Sequence, residues 1–253
     1  MWGDGFVTAH GRRLEYRCWG PDPSGGAAIV LLHEGLGSVA LWRGFPQALV
    51  ETTGLPVLAY SRAGYGFSDA DDLPRPLDWM THEAVEVLPQ VLSAFALDRP
   101  ILVGHSDGAT IAAIHAGLVG GLRGVTLMAP HFFTEEMGLA EIARAARRFD
   151  TSDLPERMAR YHTDPRATFR GWADAWLSPG FRDWNVAEVL DDTTCPILAI
   201  QGVQDEYGTK AQIDVISTRA RDVRVHMLDP CGHSPHLERQ DAVLSAISDW
   251  LFA

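Results

Sequence analysis

Cysteine is scarce in this 253-residue chain: Cys18, Cys195 and Cys231 are the only three, scattered and without C-x-x-C spacing. An odd, dispersed set excludes a disulfide framework and a cysteine-based zinc site. Positive charge is also in deficit, with 21 Lys and Arg against 33 Asp and Glu and a net formal charge of −12. A chain so acidic repels a phosphate backbone, which excludes nucleic acid as a partner. Long apolar runs are missing too. The longest wholly apolar stretch, residues 27–32, is far short of the roughly 20 residues that a membrane-spanning helix needs. Residues 1–10 contain Asp4 and no basic stretch leading into an apolar one, so no signal peptide is expected and a cytoplasmic address follows as the expectation. Internal repeats and low-complexity tracts are absent.

What remains is an ordinary globular composition, 46% apolar and 21% charged, at a length that suits one core with or without an insertion. Two short strands are expected at residues 6–9 and 14–20 around a turn at Gly11, forming an antiparallel edge, with a Pro/Gly/Ser loop over residues 21–26. Short apolar runs then alternate with amphipathic segments. Residues 27–32, 57–60, 101–103, 125–129, 197–200 and 223–228 read as strands buried on both faces. Ala84, Val85, Leu88, Val91, Leu92 and Phe95 recur at helical spacing, with Pro89 kinking the helix; Val243, Leu244, Ile247, Trp250 and Leu251 form a second such stripe. The expected fold is α/β, a mostly parallel central sheet with helices on both faces. Residues 131–194 are too long for a connection and are helical and aromatic. They read as a helical cap inserted into a core made of residues 1–130 and 195–253. The rings Phe132, Phe133, Phe169, Trp172, Trp176, Phe181 and Trp184 either staple that cap to the core or line an apolar pocket beneath it.

The sharpest chemical signal is Gly104-His105-Ser106-Asp107-Gly108, between the strand at 101–103 and the helix-forming residues 109–114. A G-x-S-x-G in this strand-turn-helix context exposes the serine hydroxyl on a strained turn, and the glycines let neighbouring backbones pass. Ser106 is therefore the candidate nucleophile. A serine needs a base, and the base needs a group to fix its tautomer. Two loops that follow strands offer them: residues 201–206 with Asp205 and Glu206, and residues 230–238 with His233 and His236.

With these features the chain resembles, over its whole length, a capped, esterase-like serine hydrolase of the α/β-hydrolase superfamily. The resemblance implies that Ser106 is the nucleophile, His233 the general base and then acid, and Asp205 the orienting carboxylate; His236 and Glu206 are the competing assignments. It also implies an oxyanion hole formed by the Asp107 amide and by Gly35 in the loop His33-Glu34-Gly35-Leu36-Gly37-Ser38, which is similar to the family's His-Gly-Gly-Pro-Gly type but departs from it at Glu34. Residues 60–68 resemble a further conserved loop, read as scaffold. The Ser-Asp-Gly of the elbow is similar to that of valacyclovir hydrolase, in which the residue after the nucleophile recognises an α-amino group. Glu34 and Asp107 thus either anchor an ammonium group or serve locally, Asp107 by complementing the helix dipole. Expected substrate-binding residues are Glu34, His105, Phe132, Trp172 and Trp176.

His10, His82, His115, His162 and His226 show no ligand spacing, and Gly35-Leu36-Gly37 and Gly64-Tyr65-Gly66 lack the form of a dinucleotide loop, so no metal or cofactor is expected. The expected activity is cleavage of a small carboxylic ester or lactone through an acyl-enzyme, with an aminoacyl ester as a specific case. Carbon-carbon bond hydrolysis or amide cleavage on the same triad, and a non-catalytic small-molecule receptor, are the alternatives.

Overall fold

Eight strands make one sheet in the computed structural model, which describes residues 2–23 and 25–253; Met1, and Ser24 within the expected 21–26 loop, lie outside the described residues. The strands are β1 (Asp4–Ala9), β2 (Arg12–Trp19), β3 (Ile29–Leu32), β4 (Val57–Tyr60), β5 (Ile101–His105), β6 (Gly124–Met128), β7 (Ile197–Gly202) and β8 (Val223–Leu228), in the order β1-β2-β4-β3-β5-β6-β7-β8. The pairs β1–β2 and β2–β4 are antiparallel and the others parallel. Every residue of β3 to β7 is buried, because parallel strands are covered by helices on both faces. β8 is the exception among the strands read as doubly buried: it lies at the sheet edge, and Arg224 and Val225 face solvent. Apolar content alone does not separate a central strand from an edge strand.

The two-residue period of the strands divides the core. Ile29, Leu31, Val57, Ala59, Ile101 and Val103 pack with α1 (Phe45–Thr53) and the last helix, while Val30, Leu32, Leu58 and Leu102 face the opposite layer. In that opposite layer, residues 79–94 form α2 (Trp79–His82), a π turn (Glu83–Val87) and α3 (Leu88–Ala94). The expected kink is therefore a break placed one turn ahead, which puts Pro89 in the first turn of α3, where its missing N–H costs nothing.

α4 (Asp107–Leu118) runs beneath the centre of the sheet with residues 107–116 all buried, as expected of a helix apolar all round. After β6 come α5 (Glu136–Thr151), α6 (Leu154–Met158) and α7 (Pro165–Trp176), then β7, α8 (Ala211–Arg219), β8, α9 (Pro235–Glu238) and α10 (Gln240–Leu251). Phe149, Phe169, Trp172 and Phe181, between β6 and β7, join the same apolar cluster as α4. Among the described residues no helix is long and apolar enough to cross a membrane.

The closest contact between sheet and α4 is at Gly108, where a Cβ would lie 2.0 Å from the Leu32 carbonyl oxygen and 2.6 Å from that of His33. Gly108→Ala must push α4 away from β3, so we expect a loss of more than about 2 kcal/mol in urea unfolding; unchanged stability would contradict this contact.

Candidate active site

Ser106 joins β5 to α4 with φ 53° and ψ −120°, a region that costs a residue with a side chain about 1–3 kcal/mol. Its surroundings hold it there. Ser106 N–H donates to the Met128 carbonyl at 2.9 Å, and its own carbonyl accepts from Ala109 N–H at 2.9 Å and Thr110 N–H at 3.1 Å. A Cβ on Gly104 would be 2.3 Å from the Gly108 oxygen, so the sharp turn tolerates no side chain at either glycine.

The loops after β7 and β8 converge on this hydroxyl. Ser106 Oγ lies 3.0 Å from His233 Nε2, and His233 Nδ1 lies 2.8 Å from Asp205 Oδ1. Asp205 also accepts Tyr207 N–H at 2.9 Å and the Gln201 amide at 3.2 Å. Burial raises its pKa, but the His233 ring and these donors outweigh burial and hold it below the usual carboxylate value. The carboxylate thus stays anionic and selects the His233 tautomer with hydrogen on Nδ1. Glu238, in α9, accepts Gly232 N–H at 2.8 Å and Ser234 N–H at 3.0 Å, clamping the backbone on both sides of His233. The rival candidates lie elsewhere: His236 is 2% exposed and packed against Trp42, Phe45 and His105, and Glu206 lines the cavity without bonding His233.

Two residues beside this hydroxyl carry backbone donors. Asp107 N–H is at the first position of α4 and Gly35 N–H is in the loop after β3; among the described residues neither donates to a protein acceptor. That loop is shaped around side chains. A Cβ on Gly35 would lie 2.1 Å from Trp172 Nε1 and 2.9 Å from Asp107 Oδ2, and one on Gly37 would lie 2.4 Å from Glu34 Oε2. Buried Arg62 braces it from the neighbouring loop, donating to the carbonyls of His33 at 2.6 Å and Glu34 at 2.9 Å, while its N–H donates to His33 Nε2 at 3.1 Å. Arg62 and Glu238 escaped sequence reasoning. Each acts on backbone atoms, which leaves no residue-type pattern to read.

A cavity of about 340 Å³ opens beside Ser106. Glu34, His105, Trp172 and Trp176 line it as expected from sequence, but Phe132 does not. Phe132 is fully buried in the core with its N–H on Gln212 Oε1 at 2.7 Å, and its neighbour Phe133 lines the cavity instead. Four carboxylates reach the lining, Glu34, Asp107, Glu135 and Glu206, and no Lys or Arg does. His131 is driven to a pKa of about 3 by burial and by the nearby His233, so it offers no compensating positive charge at neutral pH.

The carboxylates differ in kind. Glu135 is engaged by Thr209 and Gln212. Burial raises the Glu34 pKa, yet the rings of His105, His33 and His236 hold it well below the ordinary 4.5. Its Oε2 lies 3.7 Å from His105 Nδ1, too far for a direct hydrogen bond, and its side chain is 30% exposed. His105 meanwhile donates through Nε2 to the His233 carbonyl at 2.7 Å. Asp107 is 1% exposed, and its Oδ2 has no partner among the described residues. Burial, only partly offset by Arg62 and Arg75, pushes its pKa up from 3.8 to about 6.

Residues 29–246 match the model of a family described as the alpha/beta hydrolase family. A proline iminopeptidase of Heyndrickxia coagulans is 25% identical, with 99% of each chain covered. Among solved structures, VinJ is similar with a TM-score of 0.72 and 26% identity over 98% of each chain. The enol-lactonase of Burkholderia xenovorans LB400 has a TM-score of 0.77 at 19% identity, over 98% of this chain and 100% of the other, a likeness of fold alone.

The raised Asp107 pKa carries a stability cost with a definite sign. Below pH 3.8 both states are protonated and the cost is absent; as pH rises to about 6 the unfolded state alone ionises, and stability is lost. Asp107→Asn, which keeps the neutral form, is expected to match the wild type near pH 4 and to be about 3 kcal/mol more stable at pH 8. Urea unfolding at the two pH values checks this; equal stabilities at pH 8 would contradict it.

Proposed function

Because this chain belongs to the alpha/beta hydrolase family, we propose that Ser106, His233 and Asp205 form its catalytic triad and that it hydrolyses a small ester or amide whose acyl part carries an ammonium group. The observation that carries this reading is the charge of the cavity: four carboxylates and no Lys or Arg line the space beside Ser106 Oγ. Such a site repels anionic acyl groups and attracts a cation. Glu34 is ionised throughout the working range, is exposed to the cavity, and serves as the main anchor; Asp107 joins it once ionised above about pH 6. The relative from Heyndrickxia coagulans is named a proline iminopeptidase, which supports counting amides among the bonds cleaved. The aromatic walls of Phe133, Trp172 and Trp176 suit the apolar remainder of the substrate.

The distances support the following mechanism. His233 Nε2, 3.0 Å from Ser106 Oγ, takes the hydroxyl proton as Oγ bonds to the substrate carbonyl carbon. The resulting oxyanion receives the N–H groups of Gly35 and Asp107, each such donor contributing on the order of 10²–10³ in turnover. Collapse breaks the bond to the leaving alcohol or amine, which takes the proton from His233 Nε2. Water then attacks the acyl-serine, giving its proton to His233, and collapse returns that proton to Ser106 Oγ and releases the acid.

The test compares two esters of the same alcohol, one with an α-amino group on the acyl chain and one without it. A hydrogen-bonded charge pair is worth about 1.5–3 kcal/mol, so kcat/KM should favour the aminoacyl ester by roughly 10- to 100-fold, and Glu34→Gln should erase most of that preference by raising KM. Equal or lower kcat/KM for the aminoacyl ester would overturn the substrate reading. Ser106→Ala should lose at least about 10⁴-fold in kcat on both esters without loss of stability; a variant as fast as the wild type would overturn the mechanism.

A further inference from the structure

Trp172 stands where the cavity beside Ser106 meets the loop after β3. Its indole edge touches the Gly35 backbone: a Cβ there would lie 2.1 Å from Trp172 Nε1, 2.4 Å from Trp172 Cδ1 and 2.9 Å from Asp107 Oδ2. Indole, loop and carboxylate converge on one point, with no room for a substrate chain between them. In the proposed mechanism the N–H groups of Gly35 and Asp107 receive the oxyanion. The indole therefore closes the cavity next to the position of the substrate carbonyl.

The part of a substrate that meets this wall follows from the chemistry. The leaving atom takes its proton from His233 Nε2, so the leaving group lies on the His233 side. The lining rings packed on His233 are Tyr207, His105 and His131, with centroids 4.6, 5.1 and 5.6 Å away. Trp172 packs on Phe169 instead, at 5.7 Å. With the oxyanion at Gly35 and Asp107 and the leaving group turned to His233, the remaining substituent of the tetrahedral carbon, the acyl chain, runs toward Trp172. The wall it meets is held in place. α7, which carries Trp172, is tied to the core by Thr168 Oγ1, which donates to the Gly64 carbonyl at 2.6 Å. Phe169 is fully buried and stacked on Phe149 with centroids 4.0 Å apart. A Cβ on Gly171 would lie 2.9 Å from Leu73 Cδ2, so α7 is in contact with the core there too. An indole packed in this way rejects added bulk by steric overlap.

We infer that, given the triad and oxyanion arrangement proposed above, Trp172 sets the size of the acyl group: the site takes an α-aminoacyl group with a short side chain, glycyl or alanyl, and refuses leucyl or phenylalanyl. The space bounded by Leu139, Ile142 and Tyr207 is then left for the leaving group.

Two sets of esters of one alcohol test this. The first has glycyl, alanyl, leucyl and phenylalanyl acyl groups; the second, propionyl and phenylpropionyl, has the same sizes as alanyl and phenylalanyl without the amino group. Loss of the ammonium preference and loss of the size preference are thus separate results. We expect kcat/KM of the wild type to fall by at least about 10-fold from alanyl to phenylalanyl and from propionyl to phenylpropionyl, and Trp172→Ala to raise both large-to-small ratios by at least that factor. Trp172→Phe keeps a ring against Phe169, should raise the ratios by a smaller factor, and serves if Trp172→Ala does not fold. Equal kcat/KM for the large and small members of either set, or folded Trp172 variants that keep the wild-type ratios, would overturn the inference.

Discussion

The backbone of Ser106, held at φ 53° and ψ −120°, is the constraint from which the arrangement of the site follows. The turn is sharp enough to leave the hydroxyl at the end of β5 and start α4 at the next residue. That start leaves the Asp107 N–H without an acceptor among the described residues and sets the helix N-terminus beside the Ser106 hydroxyl. It also forces α4 against β3, which is why glycine stands at Gly104 and Gly108 with neighbouring backbone atoms 2.3 Å and 2.0 Å from any added Cβ. The strain is local, and it is offset by three hydrogen bonds at Ser106 and by the burial of residues 107–116. The sheet then brings the loops after β7 and β8 to the same edge, so Asp205 and His233 arrive from distant parts of the chain at hydrogen-bond distance.

Charge is unevenly distributed around this elbow. Four carboxylates and no Lys or Arg line the cavity beside Ser106, while the neighbouring cavity mixes Arg12, Arg62 and Arg75 with Asp71, Asp72 and Glu83. Asp107 sits between the two regimes, buried and without a partner for Oδ2, at an acidity that the fold makes unfavourable. Destabilised polar groups of this kind concentrate at functional positions, where stability is traded against recognition. Glu34 achieves the opposite state next to it, with the His105 ring chief among the groups that favour its anion. One loop therefore carries both a Gly35 N–H without a protein acceptor among the described residues and a carboxylate held in its anionic form.

Much of the fold was legible because buried parallel strands announce themselves as apolar runs: residues 57–60 and 223–228 coincide with β4 and β8. The runs at 27–32 and 101–103 were read to the wrong length, since β3 begins only at Ile29 and Gly104 and His105 continue β5 despite their composition. Edge exposure in β8 depends on the absence of a further strand, which no local pattern encodes. At the site, Ser106 and the two loops that carry Asp205 and His233 were legible as segments following strands, but the choice of Asp205 over Glu206 and of His233 over His236 came from the family resemblance. Phe132 and Phe133 show the limit: of two adjacent rings one is buried in the core and the other lines the cavity, a choice fixed by contacts with Gln212, Asn185 and Val186 that are distant in sequence. Arg62 and Glu238 were illegible because their partners are backbone atoms brought near by tertiary packing.

The central claim is that Ser106 forms the covalent bond to the acyl group. It is tested most directly by treating the protein with a fluorophosphonate, which phosphonylates an activated serine, and locating the adduct by peptide mass spectrometry. The account predicts a single adduct on Ser106, formed with loss of ester hydrolysis and strongly slowed when His233 is replaced by alanine. Full loss of hydrolysis with the adduct on another residue, or undiminished hydrolysis by protein fully labelled at Ser106, would contradict it.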